Sequence, residues 1–449
     1  MDAVRNPDGV LLSASMKNAQ ALAAQVIAEV LAGRSLDNAL ALAWSRTKGA
    51  DAHARALTQE ICYGTLRHLG PLRAMVRPLL TRPPKDPQVE VLLWVAFYQL
   101  RHGNAPAHAV VSNAVDAAGL IKISSAKGLV NAVLRQYLRN RTTLDAQEPS
   151  ADEARYSHSQ WWIDLARREY PDTWREVLLA GNQRPPLVLR VNRRKRSRDS
   201  QLVAFAAAGI PCRPIGVEGI VVEDPRHVFE LPGFTEGMLS VQDYGAQLAA
   251  PFLGAQDGML VLDACAAPGS KTTHILESAN CEVIALDRDN RRLGKIRQNL
   301  ERLGLAAHIR NADAANLASW WDGKPFDRVL IDAPCTASGV ARRHPDGKWL
   351  RRPGDIAQFA LQQQRLLDTL WTVVKPAGRL LYATCSVFGE ENEAPVSALM
   401  ARQQDAIRCT LPWPAGVRRH REGQLLPAGG GAEDNHDGFF YALLEKRNG

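Results

Sequence analysis

The chain has 449 residues, too many for one ordinary hydrophobic core, so two or three domains are expected. Its 55 Lys and Arg against 47 Asp and Glu leave a formal net charge of +8, a field that suits a polyanionic partner. The seven cysteines are scattered and form no C-x-x-C pair, which argues against a disulfide framework and a structural zinc site and for a reducing compartment.

The N-terminal residues 1–10 carry Asp2, Arg5 and Asp8 and no apolar signal core. The most apolar stretch, 91–100, is too short to span a bilayer. A soluble, cytoplasmic protein is expected. Alanine and leucine at helical spacing over 18–33 predict a helix ending at Gly33. Further helices are predicted over 53–69, 88–103, 107–120 and 127–139, so residues 1–145 read as an all-helical domain. The polar stretch 140–159 reads as a linker. A strand, basic turn and helix over 185–210 and a short strand at 220–225 make 146–238 a linker with a small α+β segment.

From 239 to 449 the pattern alternates. An apolar strand running into a glycine turn is predicted over 259–269 and further strands at 282–289, 308–313, 327–335 and 378–385, with helices at 271–278, 290–305 and 355–374 between them. That alternation predicts a parallel sheet covered on both faces. A late strand within 436–446 is expected to run antiparallel at the sheet edge.

Ligands of open α/β sheets bind at the carboxyl ends of the strands. The turn "DACAAPGSK" (263–271) stands at one such end. It is no P-loop, because Ser270 precedes Lys271 and the upstream glycine is missing, and no dinucleotide fingerprint, because only Gly269 is present. What remains is a small-residue turn that lets a ligand approach the backbone. Asp287 ends the second strand, where a carboxylate can accept from ribose hydroxyls. An adenosine-containing ligand without a long phosphate chain fits best. Asp313 can serve the same pocket or merely cap the following helix.

"IDAPC" (331–335) and "YATCSV" (382–387) place Cys335 and Cys385 at the ends of two strands that neighbour each other in this topology. They are either two small core residues or two thiols at one cleft. A thiolate adding to C6 of cytosine makes C5 able to attack an electrophilic methyl group, and a base must then take the C5 proton. Both thiols and Asp332 have work in that chemistry.

Residues 259–445, through "DACAAPGSK", "LDRD", "NAD", "IDAPCTASGV" and "YATCSV…EEN", resemble the S-adenosylmethionine-dependent RNA 5-methylcytosine methyltransferases of the NOL1/NOP2/Sun family. "LRVN" (189–192) and "LSVQDYGAQLAA" (239–250) also resemble family elements. "EICYGTLR" (60–67), "PAHAVVSNAV" (106–115) and "KGLVNAVLR" (127–135) resemble the NusB-like RNA-binding helical domain. The resemblance implies a Rossmann-like α/β methyltransferase domain with an all-α NusB-like N-terminal domain and a small α+β middle segment. It implies Cys385 as the nucleophile on C6, Cys335 as the proton-handling partner in product release, and Asp332 at the N3/N4 edge of the base. It implies that Cys265, Ala266, Ala267, Pro268, Gly269, Ser270 and Lys271 cradle the S-adenosyl-L-methionine, with Asp287 at the ribose, Asp313 at the adenine, and Asp332 also against the cofactor. Ser270 replaces the second glycine of the common P-G-G-K loop, and only a modest change in cofactor affinity is expected.

The implied partner is 16S ribosomal RNA of the small subunit or its precursor, with no membrane, no metal and no obligate protein partner. Two basic runs, 192–199 and 341–352, are candidates for the RNA phosphates, the second favoured because it follows the Cys335 loop and includes Trp349. The target base must be flipped out or unpaired. Alternatives are a tRNA cytosine-C5 methyltransferase, a non-catalytic RNA-binding or assembly factor, and an exocyclic-amine methyltransferase. The last would normally want an aromatic residue where Cys335 stands.

Overall fold

The computed structural model describes residues 7–47, 52–224, 226–428 and 435–448. They form two compact units: residues up to Gln183 together with Ala341–Arg351, and Arg184–Val340 together with Arg352 onward. Among the described residues no helix is long and apolar enough to cross a membrane.

The first unit is helical. Helices Pro7–Leu31, Ala52–Arg67, Ala107–Leu120 and Lys127–Arg139 surround Gln88–His102, which is apolar on nearly every side and buried from Val89 to Leu100 except at Glu90. Gly64 lets its helix and that of Tyr98 approach closely: a Cβ there would lie 1.9 Å from the Tyr98 ring, which would have to move. The expected linker is not one. Asp152–Tyr156 is a helix with Ala154 and Tyr156 buried, and the Ser157 hydroxyl donates to Arg67 O (2.8 Å) while accepting from Gly70 N (3.1 Å). Composition hid this because the buried groups are single residues spaced among charges.

Part of the basic run 341–352 also departs from expectation, although Arg352 is exposed and Arg343 and Arg351 are half-buried. Arg342 and Lys348 are fully buried. The Lys348 amine donates to Arg67 O (2.8 Å) and Asn182 Oδ1 (2.6 Å), and Trp349 Nε1 donates to Leu66 O (2.8 Å). Asp346 Oδ2 accepts from Leu36 N at the start of helix Leu36–Arg46. The Lys348 amine is spent on internal hydrogen bonds and cannot meet RNA phosphates in this conformation.

Among the described residues the second unit holds twelve strands: β1 (Leu187–Val191), β2 (Cys212–Ile215), β3 (Gly219–Val222), β4 (Leu239–Val241), β5 (Leu260–Asp263), β6 (Glu282–Asp287), β7 (His308–Asn311), β8 (Phe326–Asp332), β9 (Val374–Thr384), β10 (Ala406–Cys409), β11 (Gln424–Leu425) and β12 (Phe439–Lys446). The first four make an antiparallel sheet in the order β2-β3-β1-β4, backed by helix Arg198–Ala207. The others form a mixed sheet in the order β10-β12-β9-β8-β5-β6-β7, with β11 paired to β12.

The run β9-β8-β5-β6-β7 is parallel, as the alternation predicts. Helix Asn290–Leu303 covers one face through Leu293, Ile296, Leu300 and Leu303. Helix Pro353–Trp371 covers the other through Leu366, Leu367, Leu370 and Trp371. β12 is antiparallel to β9, as expected, but it is not the edge: β10 pairs outside it. That short strand, "AIRC", carries too little alternation to be read from sequence.

Candidate active site

The winding of the sheet reverses at β5, which lies between β6 and β8. A crevice opens there, outside the strand ends. It is lined by Cys265, Asp287, Arg288, Asp313, Pro334 and Arg365, among others.

β5 ends in Asp263, which is completely buried. Thr272 Oγ1 donates to its Oδ2 (2.6 Å), and Oδ1 has no protein partner. Burial, aided by the nearby Asp332 charge, pushes this carboxyl up to about 7. The chain then turns through Cys265, Ala266, Ala267 and Pro268 to Gly269, whose φ of 97° lies in the left-handed region, and a Cβ there would crowd Ile296 at 3.2 Å. Ser270 opens helix Ser270–Ser278 and lies outside the positive-φ region, so the serine is accommodated without strain. The loop is tied to Asp287: Ala267 N donates to its Oδ2 (3.2 Å) and Asp289 N to its Oδ1 (2.9 Å), with the Arg292 guanidinium 3.5 Å away. Asp313 is exposed at the crevice, where Oδ1 also accepts from Ala315 N (2.9 Å), so the local turn role is present as well.

Lys271 reaches from the first turn of that helix to β8, its Nζ 2.6 Å from Asp332 Oδ2. Burial alone would push the ammonium down, but the Asp332 charge holds it above the ordinary range. The Phe439 ring lies 5.6 Å from Nζ.

β8 and β9 are parallel neighbours with Asp332 opposite Ala383. Their exits bring Cys335 Sγ and Cys385 Sγ to 3.4 Å. Cys335 is buried and Cys385 is half-buried. The hydrogen bond to Cys385, together with burial, pushes the Cys335 thiol well up. Ala337, two residues on, has φ 61°, a conformation that costs an alanine about 1–2 kcal/mol. Surrounding bonds hold it: Ala333 N to Ala383 O, Gly339 N to Cys385 O, and Val387 N to Ser338 Oγ, at 2.8, 2.8 and 2.9 Å.

Two side chains that sequence reasoning gave no role stand behind these loops. Glu391, inside the "EEN" motif, is buried and accepts from Thr336 and Ser386, the residues after the two cysteines. Arg190 of β1 is buried against Glu277 (2.8 Å) and donates to Ser270 O (3.0 Å), bracing the loop from the antiparallel sheet. Its signal was a lone charge inside "LVLRV", a strand otherwise apolar; Glu391 lies in a turn with no periodic pattern to expose it. Among the described residues no group of His, Cys, Asp and Glu could hold a metal ion.

Residues 250–445 match the family model described as 16S rRNA methyltransferase RsmB/F, residues 17–139 the NusB family, and residues 158–229 the RsmF/B-like ferredoxin-like domain. The chain is 43% identical over 437 residues to ribosomal RNA small subunit methyltransferase B of Vibrio cholerae, covering 96% of this chain and 98% of that protein. The chain belongs to the RsmB/F methyltransferase family. The Citrobacter koseri protein of the same name is 44% identical, with 96% and 99% covered. Among solved structures, PH0851 superposes over 99% of this chain and 100% of its own, with a TM-score of 0.77 at 23% identity. NSun6 from Pyrococcus horikoshii with SFG covers 65% of this chain and 99% of its own, with a TM-score of 0.56 at 21% identity. Both show the RsmB/F member sharing their fold.

Proposed function

We propose that this chain methylates C5 of one cytosine in 16S ribosomal RNA, with S-adenosyl-L-methionine as methyl donor and a transient bond from Cys385 to C6 of the base. The observation that carries the reading is the pair of sulfur atoms 3.4 Å apart beside the Lys271–Asp332 ion pair. The near relatives' name supports the small-subunit RNA as substrate.

The residues present fit the donor. The unpartnered, buried Oδ1 of Asp263, the left-handed Gly269 and the Asp287 carboxylate together make a cradle of polar groups along a small-residue turn. Cys265 to Lys271 would hold the methionine and ribose portions, Asp287 the ribose hydroxyls and Asp313 the adenine amine, with Asp332 at the methyl end. When bound, S-adenosyl-L-methionine supplies an electrophilic methyl group.

Cys385, the more exposed sulfur, attacks C6 as thiolate. The proton held across the 2.6 Å Lys271–Asp332 pair meets the negative charge that develops at N3, and Asp332 accepts from the exocyclic amine. After C5 has been methylated, its proton must leave before the C6–sulfur bond can break. Cys335, 3.4 Å from Cys385, takes that proton as a thiolate after its own proton has passed to solvent, while the C5–H electrons re-form the C5–C6 double bond and expel the Cys385 thiolate. The exposed residues Arg193, Arg194 and Lys195 offer hydrogen-bond donors to phosphate. Mapping 5-methylcytosine in 16S RNA from cells with and without the gene tests the assignment: one cytosine loses its methyl group if it holds, and none does if it fails.

A further inference from the structure

We infer that Glu391 is the positioning residue that holds the two thiols in mutual register, an inference that rests on the two-thiol reading above. Glu391 ends the turn Gly389–Glu391 after β9 and is fully buried. Its Oε1 accepts from Thr336 N (2.7 Å) and Gln363 Nε2 (3.4 Å). Its Oε2 accepts from Thr336 Oγ1 (2.5 Å) and Ser386 Oγ (2.6 Å). Thr336 follows Cys335 and Ser386 follows Cys385, so one carboxylate grips the residue beside each sulfur.

Four donors match the acceptor capacity of an ionised carboxylate. All four are neutral. Burial pushes this carboxyl up while the hydrogen bonds pull it back. A carboxylate buried without a cation is an expensive way to join two loops, and a chain that needed only a fold could have used neutral partners. What the carboxylate adds is four directional hydrogen bonds converging on one point. The same backbone stretch carries a second grip: Asn392 Oδ1 accepts from Thr384 Oγ1 (2.6 Å), its Nδ2 donates to Ser386 O (3.0 Å), and Glu391 O accepts from Tyr382 OH (2.6 Å). The Cys385 loop is therefore fixed from both sides of its cysteine, and Glu391 extends that fixation across to the Cys335 loop. Glu391 touches neither sulfur; it acts through Thr336 and Ser386.

The test uses the full chain and reads the sulfur-to-sulfur relation without RNA. Diamide takes two electrons and two protons from a pair of thiols, joining them as a disulfide and becoming the hydrazine. Mass spectrometry of the joined Cys335 and Cys385 peptides gives the closure rate. In Glu391→Gln, closure slows about tenfold, because bond formation demands a specific geometry. Methyl transfer by the same variant falls roughly a hundredfold in kcat, as expected for a shift on the order of 1 Å, with S-adenosyl-L-methionine affinity unchanged. If Glu391→Gln does not fold, the pair Thr336→Val with Ser386→Ala, which removes both hydroxyl donors and keeps the carboxylate, is expected to slow both closure and methyl transfer in the same way. Wild-type closure in a folded variant overturns the inference whatever happens to turnover, as does a wild-type chain whose thiols do not close. A fall in cofactor affinity in step with kcat also overturns it, since that marks general damage. Closure does not depend on the RNA reaction, so a wild-type chain that closes but leaves cytosine unmethylated refutes the proposed function and not the grip.

Discussion

The Lys271 ammonium meets the Asp332 carboxylate at 2.6 Å, joining the helix after the Cys265–Gly269 turn to the end of the central strand β8. The ion pair stands where the small-residue turn and the Cys335 loop converge. Removing Asp332 leaves the buried Lys271 ammonium poorly solvated.

Asp332→Asn and Lys271→Met are each expected to lower methyl transfer by roughly 10²–10³-fold, the scale of losing a preorganised polar group at a reacting centre. The stability cost should be smaller, about 2 kcal/mol, because the Asp332 side chain keeps 30% of its exposure and water screens the pair. Single-turnover rates and chemical denaturation of the two variants check both figures.

The two cysteines are expected to fail differently. Cys385→Ala should abolish methyl transfer. Cys335→Ala should form the bond to RNA and release it slowly, leaving a band of increased mass that survives denaturing electrophoresis. Equal phenotypes for the two would contradict the division of labour.

Much of this site was legible in the chain. Apolar runs ending in Asp263, Asp287 and Asp332 announce strands with polar exits, and the strand alternation alone makes β8 and β9 neighbours. Adjacency of Cys335 and Cys385 follows. The ties that hold them were not legible, because Glu391 sits in a turn whose partners are distant in sequence and obey no period. Part of the run at 341–352 misled for a related reason, while Arg352 is exposed and Arg343 and Arg351 are half-buried. Charge in a sequence says nothing of direction, and Arg342 and Lys348 are buried. Likewise β10 is too short to show alternation, which moved β12 from the edge to an inner position.

The basic runs give a paired prediction. Charge reversal at Arg193, Arg194 or Lys195 should weaken RNA binding at all sequences and reduce the salt slope by roughly one unit for each phosphate no longer neutralised. Lys348→Met should leave the slope unchanged, since the Lys348 amine is buried against Arg67 O and Asn182 Oδ1. Affinity titrations over a range of salt concentrations distinguish them.

Asp263 should leave a mark on stability against pH. Its carboxyl is raised by burial from an ordinary 3.8 to about 7, so the folded state binds a proton more tightly than the unfolded chain. Stability from this group is complete below about 4 and is lost as pH rises towards 7. Asp263→Asn keeps an acceptor for Thr272 and cannot ionise. Its stability relative to wild type should therefore climb by a few kcal/mol between about pH 4 and pH 7 and stay level above. Denaturant unfolding at several pH values, without cofactor, measures the difference.

The most direct measurement is the identity of the residue joined to RNA. Cys335→Ala protein is incubated with small-subunit RNA and S-adenosyl-L-methionine, digested, and sequenced by mass spectrometry. The account predicts a cytosine nucleotide, methylated at C5, attached to the peptide containing Cys385. Attachment at another residue, or no attachment while Cys385→Ala still methylates at the wild-type rate, would contradict it.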